Sequence, residues 1–241
     1  MRLNIKDIQE AIKKALLSAG MKIYKIFLIY LGINLVLNLM IIFLLKPITQ
    51  YSLTVYEYYV NGNSDIPAME SSLYISFMLI LIILLTVRVV TLGWDRVCLK
   101  VSRGETEITF HDLTSMFPQV WKIALMLIIE AILTYIGLLL FIIPGLFLLL
   151  RWSMAFYVLI EHPEYGPVRC LKQGARLMVG EIKNLLKLGA VFFTQYLFAG
   201  LIWYFSRELI NLFKAPPVGI GYSVFYNRLV YWKPEDKPNE Q

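Results

Sequence analysis

The chain has 241 residues and a formal net charge of +6; 58% of it is apolar and only 17% charged, giving a mean hydropathy of +0.63. A soluble domain keeps most of its polar groups outside, and there are too few here to coat one of this size, so the composition excludes both a water-soluble globule and a disordered chain. What remains is an all-α, polytopic membrane protein: one integral-membrane domain over 1–241, with about six transmembrane helices in hairpins and amphipathic helices at the interface.

Residues 1–23 carry Ile5, Ile8, Ile12, Ala15, Leu16 and Ala19 at helical spacing, with lysines and acids opposite. This pattern predicts a cytoplasmic amphipathic helix lying on the membrane surface. From 24 to 45 the chain is apolar for about 22 residues, enough at 1.5 Å per residue to cross ~30 Å of hydrocarbon, and this is the first span. Residues 46–72 read as an extracellular loop, punctuated by Pro47, Asn61-Gly62-Asn63 and Pro67, with its tyrosines suited to an interfacial belt. A second span at 73–90 is closed by Arg88 and Arg96. A polar link follows, with a short helix from His111 to Phe117.

The apolar stretch from Trp121 to Ile160 would measure roughly 60 Å as one helix, twice the hydrocarbon thickness, so it has to fold back. Pro144-Gly145 is its strongest punctuation and is the expected helix-break hinge between a third span, 120–143, and a short fourth, 146–160. Residues 161–184 are polar, with Val168, Leu171, Ala175, Met178, Val179 and Ile182 at spacings of three and four, a second basic amphipathic helix on the cytoplasmic side. A fifth span at 185–205 and a sixth at 209–232 complete the chain. Pro216-Pro217 and Gly219-Ile220-Gly221 predict that the sixth is broken or partly re-entrant.

With both termini in the cytoplasm, only Lys46, Arg207 and Lys214 fall outside, while Arg88 and Arg151 lie within spans and every other lysine and arginine falls inside. That asymmetry follows the positive-inside rule. It accounts for the basic charge through anionic lipid headgroups, with no nucleic acid required. Cys98 and Cys170 are too few for a disulfide framework or a metal cluster and read as small buried side chains.

Several runs carry a resemblance. These are Leu99-Lys100-Val101-Ser102-Arg103-Gly104-Glu105, Phe141-Ile142-Ile143-Pro144-Gly145, Arg151-Trp152-Ser153-Met154-Ala155-Phe156-Tyr157, Glu161-His162-Pro163-Glu164, Arg176-Leu177-Met178-Val179-Gly180 and Phe225-Tyr226-Asn227-Arg228-Leu229. In order and spacing they resemble a bacterial integral-membrane family named domain of unknown function 975, which is loosely similar to the membrane regions preceding some glycerophosphodiester phosphodiesterases. The resemblance implies a six-helix protein of the bacterial plasma membrane and no established activity. Gly174 departs from the family's usual serine, and Glu161-His162 from its usual Asp-Asn.

Ionisable groups within a bilayer are costly, so Glu130 in the third span and Arg151 in the fourth are the first candidates for chemistry. About the expected hinge their axial offset is on the order of 10 Å. Asn34 and Asn38 share a face of the first span, Thr134 lies one turn from Glu130, and Gln195 falls in the fifth span. Together they could line a polar cavity, or simply tie helices together. His111 and His162 are the only histidines, and no catalytic triad, phosphate loop or metal motif is present, so neither an enzyme nor a cofactor is expected. The expected role is that of an accessory, scaffold or self-protection factor acting through a membrane-protein partner, a second copy or lipids. The alternative is a small transporter or channel built around Glu130 and Arg151.

Overall fold

A computed structural model describes residues 5–61, 71–140, 142–202 and 207–231, and among these the chain is helical with no strand. The amphipathic N-terminal segment forms α1 (Ile5–Ala19). Gly20 ends it at φ 56°, a left-handed conformation that glycine adopts without a Cβ penalty. Ile8, Ile12, Ala15 and Ala19 are buried, as their spacing predicts. The cover is protein, however, not the lipid surface expected: α1 packs on α3 (Ser71–Ser102) and on α10 (Arg207–Tyr231), the last helix among the described residues.

The first span lies within α2 (Met21–Val60), which continues straight through Pro47. Residues 46–60 are therefore helical, which corrects the expected loop over this stretch; 62–70 lie outside the described residues. Proline removes one hydrogen bond and crowds the preceding turn, a cost that a helix of 40 residues can absorb. The second span lies within α3 (Ser71–Ser102). Arg88 does not close it: the helix runs on for over three further turns, and Val89, Val90, Leu92, Val97, Cys98 and Val101 on those turns are buried. It ends at Gly104, φ 82°, where Gly104 N–H donates to Val101 O and Glu105 N–H to Lys100 O, a Schellman closure.

A short α4 (Phe110–Thr114) presses so closely on α3 that a Cβ on Gly93 would stand 2.0 Å from the Leu113 carbonyl oxygen. The hairpin of the third and fourth spans consists of α5 (Val120–Leu140) and α6 (Ile142–Trp152). Pro144-Gly145 is not its hinge, because both residues lie inside α6. Pro144 occupies the first turn, where a backbone N–H has no partner to lose. Gly145 instead permits a close crossing: a Cβ on Gly137 would approach its Cα to 2.9 Å.

The stretch expected as the fourth span is not one helix: it breaks at Ser153-Met154 into α6 and α7 (Ala155–Glu161). At 11 and 7 residues, or about 16 and 10 Å, neither could cross hydrocarbon alone. Every residue from Ala155 to Ile160 is buried in protein. The second amphipathic helix is α8 (Pro167–Leu177), with Pro167 in its first turn. Its buried side is Cys170, Leu171 and Gly174, followed by Met178. Val168 and Val179, expected on the apolar face, are exposed. The stretch expected as the fifth span falls on α9 (Ile182–Ile202), and the last segment is a single α10 (Arg207–Tyr231) that carries Pro216 and Pro217 inside it, not a broken or re-entrant stretch.

The core gathers at one end of the molecule, where α1, the last turns of α3, all of α7 and the last turns of α10 bury one another. Phe27, Tyr30 and Trp94 pack as an aromatic cluster where α2 joins it, with Tyr30 and Trp94 stacked at 5.4 Å. Among the described residues, Met21–Val60, Ser71–Ser102 and Phe110–Gly137 are each long and apolar enough to cross a membrane.

Candidate functional site

At the packed end, polar side chains from three helices converge. Glu161, the last residue of α7, accepts a hydrogen bond on Oε2 from the Tyr226 hydroxyl of α10 at 2.6 Å. Its Oε1 accepts from Arg103 Nη2, just beyond α3, also at 2.6 Å. Arg103 Nε donates to Asn227 Oδ1 at 3.0 Å, and Asn227 Nδ2 donates to Ser102 Oγ at 2.8 Å, which closes the network back onto α3. The Tyr226 ring stacks on Tyr157 at 5.3 Å, and the guanidinium of Arg103 lies 5.6 Å over Tyr231. Burial pushes the Glu161 carboxyl up, but the Tyr226 and Arg103 hydrogen bonds and the Arg103 charge outweigh it and hold the group below the ordinary glutamate value.

The sequence places these residues for local reasons. The Gly104 turn caps α3 and aims Arg103 across the helix ends, and α7 stops before Pro163, leaving Glu161 as its terminal side chain. Nearby, Lys100 pairs with Asp112 at 2.7 Å, and Asp112 Oδ2 also accepts the Thr109 N–H at 2.9 Å as part of a capping box. Lys122 donates to the Pro163 carbonyl. His162 stacks on Tyr165 and meets Glu164 at 3.1 Å. The carboxylate and guanidinium of the network are engaged with each other, so the arrangement holds helices together and presents no free nucleophile or base. Among the described residues no group of three His, Cys, Asp or Glu side chains could hold a metal ion.

The residues predicted to form an intramembrane site are not gathered as expected. Glu130 and Arg151 form no ion pair among the described residues; the charge acting on Glu130 is Arg88 of α3, which also acts on Asp95. The Arg88 guanidinium lies 4.3 Å over the Phe156 ring, with its Nε buried and unpartnered, and the buried Thr134 Oγ1 is also without a partner among the described residues. Asn34 and Asn38 bond backward along their own helix, Asn34 Nδ2 to Tyr30 O at 2.9 Å and Asn38 Nδ2 to Asn34 O at 2.7 Å. Gln195 lies in α9, and its side chain lies outside the described residues.

Sequence reasoning missed Arg88 by treating it as the border of a span. Arg88 and Asp95, seven residues apart, fall on one face of a helix, and that spacing was the available signal. Among the described residues the chain is all-helical, with three helical stretches long and apolar enough to cross a membrane. Compared with family models, with curated proteins and with solved structures, the chain finds no match.

Proposed function

We propose that this chain is a multi-pass protein of the bacterial plasma membrane with both termini in the cytoplasm, and that it acts without catalysing a reaction, as an accessory, scaffold or self-protection factor for another membrane component or for lipids. The observation that carries this reading is α2. It holds an 18-residue window of mean hydropathy 2.5, none of which is buried against the rest of the chain. An apolar helix left uncovered needs lipid or a partner around it.

Two further features support the topology. Arg103, Glu161 and Asn227 come from three segments placed on the cytoplasmic side by the positive-inside count, and their hydrogen bonds require those segments to share a side. The residues of the network also fall within the runs that resemble domain of unknown function 975, a resemblance that implies a six-helix membrane protein. The test is a mild-detergent pull-down that identifies co-purifying protein and lipid, combined with thiol labelling of cysteines placed at 51–65 and near Arg103. Recovery of the protein as a monomer in buffer without detergent, with no affinity for vesicles, would overturn the reading.

The transporter alternative gains from Arg88, Glu130 and Thr134. Arg88 Nε and Thr134 Oγ1 are buried and without a partner among the described residues, and Thr134 lies one turn from Glu130 on α5; polar groups of this kind inside a span are what a path for a proton or polar solute needs. Solute flux into proteoliposomes that is lost in Glu130→Gln would favour it over the accessory role.

A further inference from the structure

Two stripes run along α2. Tyr30, Asn34, Leu37, Ile41 and Leu44 repeat at three and four residues and are half-buried along the side shared with α3. A second stripe with the same period, Leu28, Leu31, Leu35, Asn38, Ile42 and Leu45, is exposed throughout. It continues through Thr49 and Ser52 to Tyr56 and Tyr59, also exposed, the tyrosines at 65% and 83%. A seven-residue apolar repeat is the signature of one helix lying along another with a shallow left-handed crossing.

Asn38 indicates what that other helix is. It lies near the midpoint between Lys25 and Lys46, the basic residues that border the span, and so near the centre of the hydrocarbon. One of its amide hydrogens is spent on Asn34 O. Its second N–H and its Oδ1 face outward with no partner among the described residues, where lipid tails offer neither donor nor acceptor. A carboxamide is self-complementary, with a donor and an acceptor in one plane. Copies of one chain insert with the same orientation, so a two-fold axis along the membrane normal brings residues of equal depth together. Asn38 then meets Asn38, each Nδ2 donating to the other's Oδ1. A single polar residue within an apolar heptad seam fixes register and partner number in this way.

We propose that the exposed stripe of α2 is the interface of a parallel homodimer, with the Asn38 pair at its centre and Tyr56 and Tyr59 extending it beyond the hydrocarbon. The inference rests on the membrane reading above and names a second copy of this chain as the partner of α2. A parallel pair satisfies the outward-facing Asn38 amide and covers an aromatic helix face that would otherwise stand in water.

The experiment uses the full chain in mild detergent and then in lipid nanodiscs, with mass measured by light scattering. The wild type is expected to have the mass of two chains. Asn38→Leu should weaken dimerisation by about ten-fold, the scale of a reciprocal interhelical hydrogen-bond pair. Asn38→Gln, which keeps the carboxamide, should retain it. Ile42→Cys should cross-link between copies on oxidation, and Leu44→Cys, on the stripe against α3, should not. A monomeric wild type in both media, an Asn38→Leu dimer as tight as the wild type, or cross-linking at 44 in preference to 42 overturns the proposal. A monomer bound to a different protein would overturn the dimer and leave the membrane reading intact, whereas solubility without detergent would end both.

Discussion

Replacing Glu161 by Gln isolates the network that joins α3, α7 and α10. The amide oxygen can still accept one hydrogen bond, from the Tyr226 hydroxyl or from Arg103, but the guanidinium then faces a neutral group that also presents its own N–H. Hydrogen bonds to a charged group contribute about 1.5–3 kcal/mol. The Arg103 and Glu161 side chains are 28% and 15% exposed, which places the pair between a surface ion pair at about 0–1 kcal/mol and a fully buried one whose breaking costs about 3–5 kcal/mol. We expect a loss of about 2 kcal/mol. For a chain of this length that corresponds to a fall of about 4–8 °C in the thermal midpoint, read by tryptophan fluorescence in mild detergent. A double-mutant cycle with Arg103→Gln assigns the loss to the pair and should give a coupling of about 1 kcal/mol or more. A midpoint within ~1 °C of wild type, or a cycle with no coupling, would show that these contacts contribute nothing to stability and refute the reasoning.

The same carboxylate sets a pH dependence. Its folded pKa lies below the ordinary glutamate value, so its contribution is complete at neutral pH and is lost as pH falls through the unfolded and then the folded value; a pH series of thermal midpoints should show this acid-side loss in wild type and flatten it in Glu161→Gln. Gly174→Ser should lower the midpoint through a cost of about 1–3 kcal/mol, because its Cβ would stand 2.6 Å from the Ala155 backbone; an unchanged midpoint would contradict this packing. Glu130 should couple to Arg88 by about 1 kcal/mol or more in a double-mutant cycle and to Arg151 by less than about 0.5 kcal/mol, the reverse ranking refuting the charge placement. Cys98 and Cys170 are both fully buried and should resist a maleimide in the folded protein and react together on unfolding; rapid labelling of either would count against the core.

The helical class, the α1 apolar face and the positions of α5 and α9 follow directly from periodicity and apolar run length. The errors concentrate at proline. Pro47, Pro144 and Pro216-Pro217 all read as breaks, yet each lies inside a helix, since a long helix tolerates one lost hydrogen bond and a first-turn position loses none. Ser153-Met154 interrupts the expected fourth span without any proline or glycine; the break coincides with the start of α7, whose Ala155 to Ile160 are all buried, and no local pattern encodes that burial. For the site, Glu130 and Arg151 were legible as costly charges, but pairing them assumed the wrong hinge. The Arg103–Glu161 contact joins residues 58 apart in the chain, beyond the reach of any spacing rule.

The order of synthesis gives the Tyr226–Glu161 bond a further consequence. Arg103 and Glu161 leave the ribosome well before Tyr226 and Asn227, so a nascent chain carries an incomplete clasp until its last helix emerges. Until then the Glu161 carboxylate lacks its α10 donor, and the far wall of the core is unbuilt. A chain cut short before residue 226 would keep the three membrane-length stretches found among the described residues yet lack the α10 half of the clasp.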